Sequence, residues 1–146
     1  MKLLLDAMLG SLARILRMCG HDAAYCLDRG VEDDDAIRDL AAREDCVLVT
    51  RDRKLAERAP ESVLVESKDI DAQLREVAAA GVDLTPTPGE RCGACNGELH
   101  EVDGEGNEFP EYVPDDASPV WQCEDCGQYF WEGSHWDDVE VRLEEL

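Results

Sequence analysis

Four cysteines stand in two pairs, Cys92-Gly93-Ala94-Cys95 and Cys123-Glu124-Asp125-Cys126, separated by 27 residues. Two such C-x2-C knuckles place four thiolates around one tetrahedral Zn2+. Asn96-Gly97 and Gly127 follow the second cysteine of each pair, and these residue types tolerate the positive φ that a tight knuckle turn often needs. A zinc with every position filled by protein holds structure and does no chemistry. A second set of chemistry-bearing residues is scattered: Asp6, Asp34, Asp52 and Asp69. Carboxylates gathered at one point repel one another unless a hard divalent cation, Mg2+ or Mn2+, neutralises them. Such an ion activates water and stabilises the leaving oxygen of a phosphodiester.

Whether those acids meet depends on the elements that carry them. The apolar run Lys2–Leu5 reads as a strand. Leu9, Leu12, Ala13 and Leu16 recur at helical spacing, with Gly20 as a stop, which predicts a helix over 9–19. A second strand is expected over 23–27, a helix over Asp34–Arg43 and a strand, buried on both sides, over Val47–Thr50. A helical turn over 54–58 ends at Pro60, a fourth strand covers 63–66, and a helix over 70–80 stops at Gly81. Strands alternating with helices argue an α/β fold with a parallel sheet.

In an open sheet of this kind, sites form outside the carboxyl ends of the strands. Asp6 directly follows the first strand, Asp52 the third and Asp69 the fourth, so all three share one edge. Asp34 opens the second helix, three residues before Ile37 and therefore on its inward face. Bland roles compete. Asp33, Asp34 and Asp35 are good helix N-caps, and Asp69 suits the same duty before Ile70. Asp6 and Asp52 follow buried strands with no evident helix to cap. Arg14, Arg17, Arg51 and Arg53 are the bases nearest this edge; Arg suits bidentate contact with phosphate, although Arg14 and Arg17 also fit a solvated helix face.

The 146 residues carry 14 basic and 35 acidic side chains, a net charge of −21. Only Lys2, Lys54 and Lys68 are lysines. An acidic, lysine-poor chain with ordinary hydrophobic content suits multimolar salt, where the Debye length is roughly 3 Å or less and self-repulsion fades. Residues 1–90 sum to −7 and residues 91–146 to −14, which makes the first part the better contact for phosphate. Asp6 interrupts the opening apolar run, so no signal peptide is read, and no stretch approaches the ~20 apolar residues of a membrane span. Seven cysteines with no export signal fit a reducing cytoplasm and a metal site better than disulfides. Cys19, Cys26 and Cys46 sit among apolar residues and read as small buried hydrophobes.

The stretches LLDAMLGSLARILRMCGHD, DDAIRDLAAREDCVLVTRDRKLA, RCGACNGEL and CEDCGQYFWEGSHW resemble the Mut-seven C-terminal RNase domain family, over nearly the whole chain. That family joins a PIN-like nuclease fold to a zinc ribbon, so the resemblance implies a metal-dependent ribonuclease. It implies that Asp6, Asp34 and Asp52, the acid of the TRD motif, form the catalytic site, with Asp69 as a fourth member. It also implies structural or phosphate-contact roles for Gly10, Arg14 and Arg51, and zinc ligation by Cys92, Cys95, Cys123 and Cys126. Lys54 stands where related PIN-like proteins carry a further acid, which implies a weaker site or a single ion. His135 and Trp136 fall in a signature-like segment, where they contact substrate or dock the ribbon, or where the tryptophan simply fills core and Ser134 caps the tail.

The expectation is a cytoplasmic, two-part protein. A PIN-like α/β domain covers residues 1–85, a linker 86–90, and a zinc ribbon 91–146 whose segment 103–119 is a long loop or hairpin tip. The proposed reaction is hydrolysis of RNA at an acidic Mg2+ or Mn2+ site. The rival class is a non-catalytic module in which the ribbon binds RNA or protein and the acids are degenerate. A small-molecule phosphatase fits poorly, because Asp6-Ala7-Met8 lacks the D-x-D pattern such enzymes commonly use.

Overall fold

The computed structural model describes residues 1–102, 109–131 and 135–146, the side chain of His135 excepted. The expected cap at Ser134, residues 103–108 of the expected loop and any role of the His135 imidazole lie outside the described residues.

The first half alternates as expected: β1 (Lys2–Leu5), α1 (Gly10–Met18), β2 (Asp22–Tyr25), α2 (Asp34–Arg43), β3 (Val47–Thr50), α3 (Arg53–Arg58), β4 (Ser62–Leu64) and α4 (Ile70–Ala79). The four strands form one parallel sheet in the order β2-β1-β3-β4. Strand side chains alternate between faces. Leu3, Leu5 and Val49 therefore face α1 and α4, whereas Leu4 and Leu48 face Ile37 and Leu40 of α2 and Leu55 of α3. Leu48, Val49 and Thr50 are fully buried, as a central strand covered on both faces requires.

Two strands are shorter or shifted against expectation. β2 stops at Tyr25 because residues 26–29 turn into a 3-10 helix that ends on Gly30 at φ 70°. Cys26 is buried there while Leu27 turns outward, 40% exposed. β4 ends at Leu64. Val65 still donates its N–H to Thr50 O at 2.8 Å, but the N–H groups of Glu66 and Ser67 leave the ladder for the Glu76 carboxylate.

The second half is a three-stranded antiparallel sheet, β5 (Leu99–Val102), β6 (Val120–Cys123) and β7 (Tyr129–Trp131), in that order, followed by α5 (His135–Glu144). It shares its core with the first half. Phe130, Trp136 and Val139 belong to the same buried cluster as Leu12, Leu16 and Leu74. Trp136, 2% exposed, packs edge-to-face against Trp121 and Phe130, and its indole N–H donates to Met18 O at the end of α1 (3.2 Å). Trp136 thus fills the core and docks the ribbon at once. The stretch 86–90 lies against the fold: Thr87 N donates to Met18 O (2.9 Å), and a Cβ on Gly89 would meet the Trp121 ring at 2.4 Å.

Candidate metal centre and acidic edge

The cysteine cluster is built by the two knuckles. Cys92 begins the first, and its N–H donates to Gly97 O (2.8 Å) while Asn96 N donates to Cys92 O (2.9 Å). Asn96 takes φ 73° and Gly127 φ 77°, as their types suggested. Gly97 is needed for space instead: a Cβ there would lie 2.8 Å from Cys123 Sγ. The Sγ atoms of Cys92, Cys95, Cys123 and Cys126 all lie within 4.8 Å of one another, with Cys92–Cys126 at 3.8 Å and Cys95–Cys123 at 3.4 Å. Zn–S bonds of about 2.3 Å give tetrahedron edges of about 3.8 Å, so the set fits Zn2+. Cys92 and Cys123 are buried, while Cys95 and Cys126 face solvent. Burial pushes the Cys92 thiol up. At Cys123 burial acts the same way, but the N–H groups of Cys126 and Asp125 and the neighbouring thiols outweigh it and hold that pKa down. Backbone donors of this kind suit a sulfur that carries negative charge.

The first knuckle is bolted to the parallel sheet. Arg17, 4% exposed, donates from Nε to Ala23 O (2.8 Å) and from Nη1 to Gly93 O (3.0 Å). Burial lowers its pKa, and Asp28 at 3.6 Å and the Cys92 and Cys95 thiols oppose that shift. The expectation that Arg17 contacts phosphate is therefore corrected: its guanidinium is spent inside the protein, joining α1, β2 and the knuckle. Asn96 adds to the joint, accepting from Ala23 N (3.0 Å) and donating to Asp22 Oδ1 (2.7 Å), which covers the outer edge of β2.

At the carboxyl edge of the sheet, the register sets Leu5 opposite Val49, so Asp6 falls beside Thr50. Asp6 N continues the ladder to Val49 O (3.0 Å). Its carboxylate accepts from Ala7 N on Oδ1 (2.7 Å) and from the Thr50 hydroxyl on Oδ2 (2.7 Å). Thr50 Oγ1 in turn accepts from Asp52 N at 3.0 Å. One buried hydroxyl therefore joins the first-strand acid to the TRD acid. Asp52 also caps a helix after all: its Oδ1 accepts from Lys54 N (2.9 Å) and Leu55 N (3.3 Å), and α3 starts at Arg53 on that account. Its Oδ2 carries no hydrogen bond among the described residues.

The remaining predicted residues are more dispersed. Asp33, not Asp34, caps α2, accepting from Ala36 N. Asp34 is the exposed first residue of the helix, and its neighbour Asp35 pairs with Arg58. Asp69 caps α4, accepting from Ala72 N at 3.1 Å. Among the described residues, the four cysteines are the only group of three or more Cys, His, Asp or Glu whose ligand atoms come within 4.8 Å, so the four acids do not gather that closely. Arg51 is half-buried with its Nε shielded from solvent and without a hydrogen-bond partner, Arg53 pairs with Glu66 (2.7 Å), and Arg14 is exposed. Sequence reasoning missed Thr50 and Tyr25. The signal for Thr50 was a lone hydroxyl ending an apolar strand. Tyr25 ends β2 and lays its ring over the start of α1, where a Cβ on Gly10 would stand 3.4 Å from it.

No described helix is long and apolar enough to cross a membrane. No curated protein and no solved structure matches the chain. The model of the Mut7-C RNAse domain matches residues 1–143, and the chain therefore belongs to that family of ribonuclease domains.

Proposed function

We propose that the protein is a metal-dependent ribonuclease that hydrolyses RNA phosphodiesters at the carboxyl edge of its parallel sheet, with the zinc knuckles holding structure. The observation that carries this reading is the Thr50 hydroxyl, which donates to Asp6 and accepts from Asp52 N. The hydroxyl fixes the direction of the Asp6 carboxylate and the place of the Asp52 backbone, while Lys54 N and Leu55 N hold the Asp52 carboxylate, the kind of support a working site needs. The donor set is all oxygen and suits Mg2+ or Mn2+, which take one or two protein carboxylates and leave the other positions to water and phosphate. Asp6 and Asp52 would hold such an ion, with Asp34 at the rim and Asp69 left to its helix. When bound, the ion supplies charge neutralisation and polarisation of the phosphodiester. The side chains do the rest: Thr50 keeps Asp6 aimed, Asp52 stiffens the start of α3, and Arg51 and Arg53 steady the phosphate. The lysine-poor acidic surface supports activity in multimolar salt.

A non-catalytic binding module is the second reading. It is favoured by Lys54 beside Asp52, and by the lack of three acid oxygens within 4.8 Å among the described residues. Cleavage of labelled single-stranded and structured RNAs in multimolar KCl with Mn2+ separates the two. Loss of cleavage in both Asp6→Asn and Asp52→Asn, with zinc content unchanged, is the expected result. Equal cleavage by all three proteins points to contamination, and no cleavage by folded wild type moves the assignment to the binding module.

A further inference from the structure

Two cavities lie beside α1, lined by exposed Ser11 and Arg14 and by the edges of buried Ile15 and Met18. One, of about 420 Å3, lies between α1 and α5 and includes Ser11, Arg14, Met18 and Arg142 in its lining. The other, of about 240 Å3, lies against the first knuckle and includes Gly93 and Gln128. Arg14 and Met18 line both, so the two adjoin at these side chains. We propose that together they form a groove along which a single-stranded segment of RNA runs from the acidic edge to the zinc knuckle. The identity of the ligand rests on the nuclease reading above; the groove itself does not.

Three features point to a nucleic-acid strand. Position is the first. Leu9 N donates to Asp6 O (3.2 Å), so α1 springs directly from the acidic edge, and the stretch from Ser11 to Met18 covers about 10 Å at the helical rise of 1.5 Å per residue. The second is the state of Arg14. In a chain with 35 acids and 14 bases, six other arginines, Arg142 of the opposite wall among them, are paired with carboxylates. Arg14 is exposed and, like Arg43 and Arg75, has neither an ion pair nor a side-chain hydrogen bond among the described residues; of these three it is Arg14 that lines both cavities. A guanidinium left free over a groove in so acidic a protein is matched by a phosphate. The third is the lining itself: Ile15, Met18 and Val139 give an apolar floor and Ser11, Arg14 and Gln128 a polar rim. Single-strand binders combine cations for the backbone with aromatic side chains on which bases stack, and Phe130 is the aromatic in this lining. Asp138 is the carboxylate in this wall, and it opposes the ligand.

Opposite signs at Arg14 and Asp138 supply the test. Fluorescence anisotropy of a labelled oligouridylate is measured on the zinc-loaded full chain across a series of KCl concentrations, with Asp6→Asn as a second background. Arg14→Gln is expected to weaken binding about tenfold and to make the slope of log K against log salt shallower by about 0.7, the value of one lost single-strand phosphate contact. Asp138→Asn is expected to tighten binding, and both groove variants are expected to shift binding by the same factors in the Asp6→Asn background. Zinc content and thermal midpoint of each variant report that the fold is intact. Unchanged affinity and slope in both groove variants overturns the proposal, even if the wild type cleaves RNA; so does absence of binding by folded wild type, the outcome expected if the groove takes a peptide. Binding with these shifts but no cleavage keeps the groove and removes the nuclease reading.

Discussion

Thr50 shows how much a single buried hydroxyl carries. It is fully buried, yet both its donor and its acceptor capacities are used, by Asp6 Oδ2 and Asp52 N. Thr50→Val keeps the shape and strands both partners, which costs about 1–3 kcal/mol, and frees the Asp6 carboxylate to swing. Urea unfolding in KCl should register that loss, and RNA cleavage should fall by about 10- to 100-fold, as for a small misplacement of a reacting group. Thr50→Ser restores the hydroxyl and should recover most of both. If Thr50→Val cleaves like the wild type, the bridge is a fold contact with no part in the reaction. Arg17 teaches the opposite lesson. Its place on α1, one turn from Arg14, suggested an exposed phosphate contact, but the turn from residue 14 to residue 17 moves the side chain from solvent to the joint between sheet and knuckle.

At the scale of elements, the aspartates sort by the helix they precede. Asp33 and Asp69 each accept a hydrogen bond from the residue three further on, and Asp52 accepts two from the start of α3. Alanine at position 33 or 69 should destabilise the protein by about 0.5–2 kcal/mol, whereas asparagine, nearly as good a cap, should not. Asp69→Asn therefore separates two roles in one experiment. Unchanged thermal midpoint with unchanged cleavage leaves Asp69 as a cap. Unchanged midpoint with lost cleavage returns it to the metal site. The same logic makes Asp52→Asn the sharper catalytic variant than Asp52→Ala, because it removes the charge and keeps the cap.

The molecule as a whole has one core where the charge pattern and the linker-like prolines suggested two bodies. Cys92 and Cys123 are members of the cluster that holds Leu3, Leu5 and Leu12, and Arg17, Asn96 and Trp136 are bonded across the join. Removal of zinc should therefore unsettle the parallel sheet as well as the ribbon. Thiol labelling at pH 8 in KCl reads this directly. Burial raises the Cys19 pKa to about 12 and the Cys26 pKa to about 11, so these two carry almost no thiolate in the native state, and burial raises the pKa of Cys46 and shields its thiol as well. All seven cysteines should be silent in the zinc-loaded protein. With a chelator, seven reactive thiols mean that the shared core opens with the metal; four mean that the α/β half stands alone.

Element types, the parallel sheet, the four-cysteine cluster and the placing of Asp6 and Asp52 at one sheet edge were legible in the chain, whereas the four acids expected there do not gather among the described residues. The legible features depend on short-range facts: apolar period, a C-x2-C turn, an acid directly after a strand. Three other things needed the folded molecule. Asp34 and Asp69 read as caps or ligands until helix starts were placed to within one residue, which gave the caps to Asp33 and Asp69. Thr50 became a bridge only through the register of β1 on β3, which no local pattern encodes. The burial of Arg17 while Arg14 stays exposed, and the cavities between α1, α5 and the knuckle, follow from how the ribbon docks. That docking is settled by packing between residues up to 118 apart in sequence, such as Trp136 on Met18, and burial at that distance leaves no periodic trace in either segment.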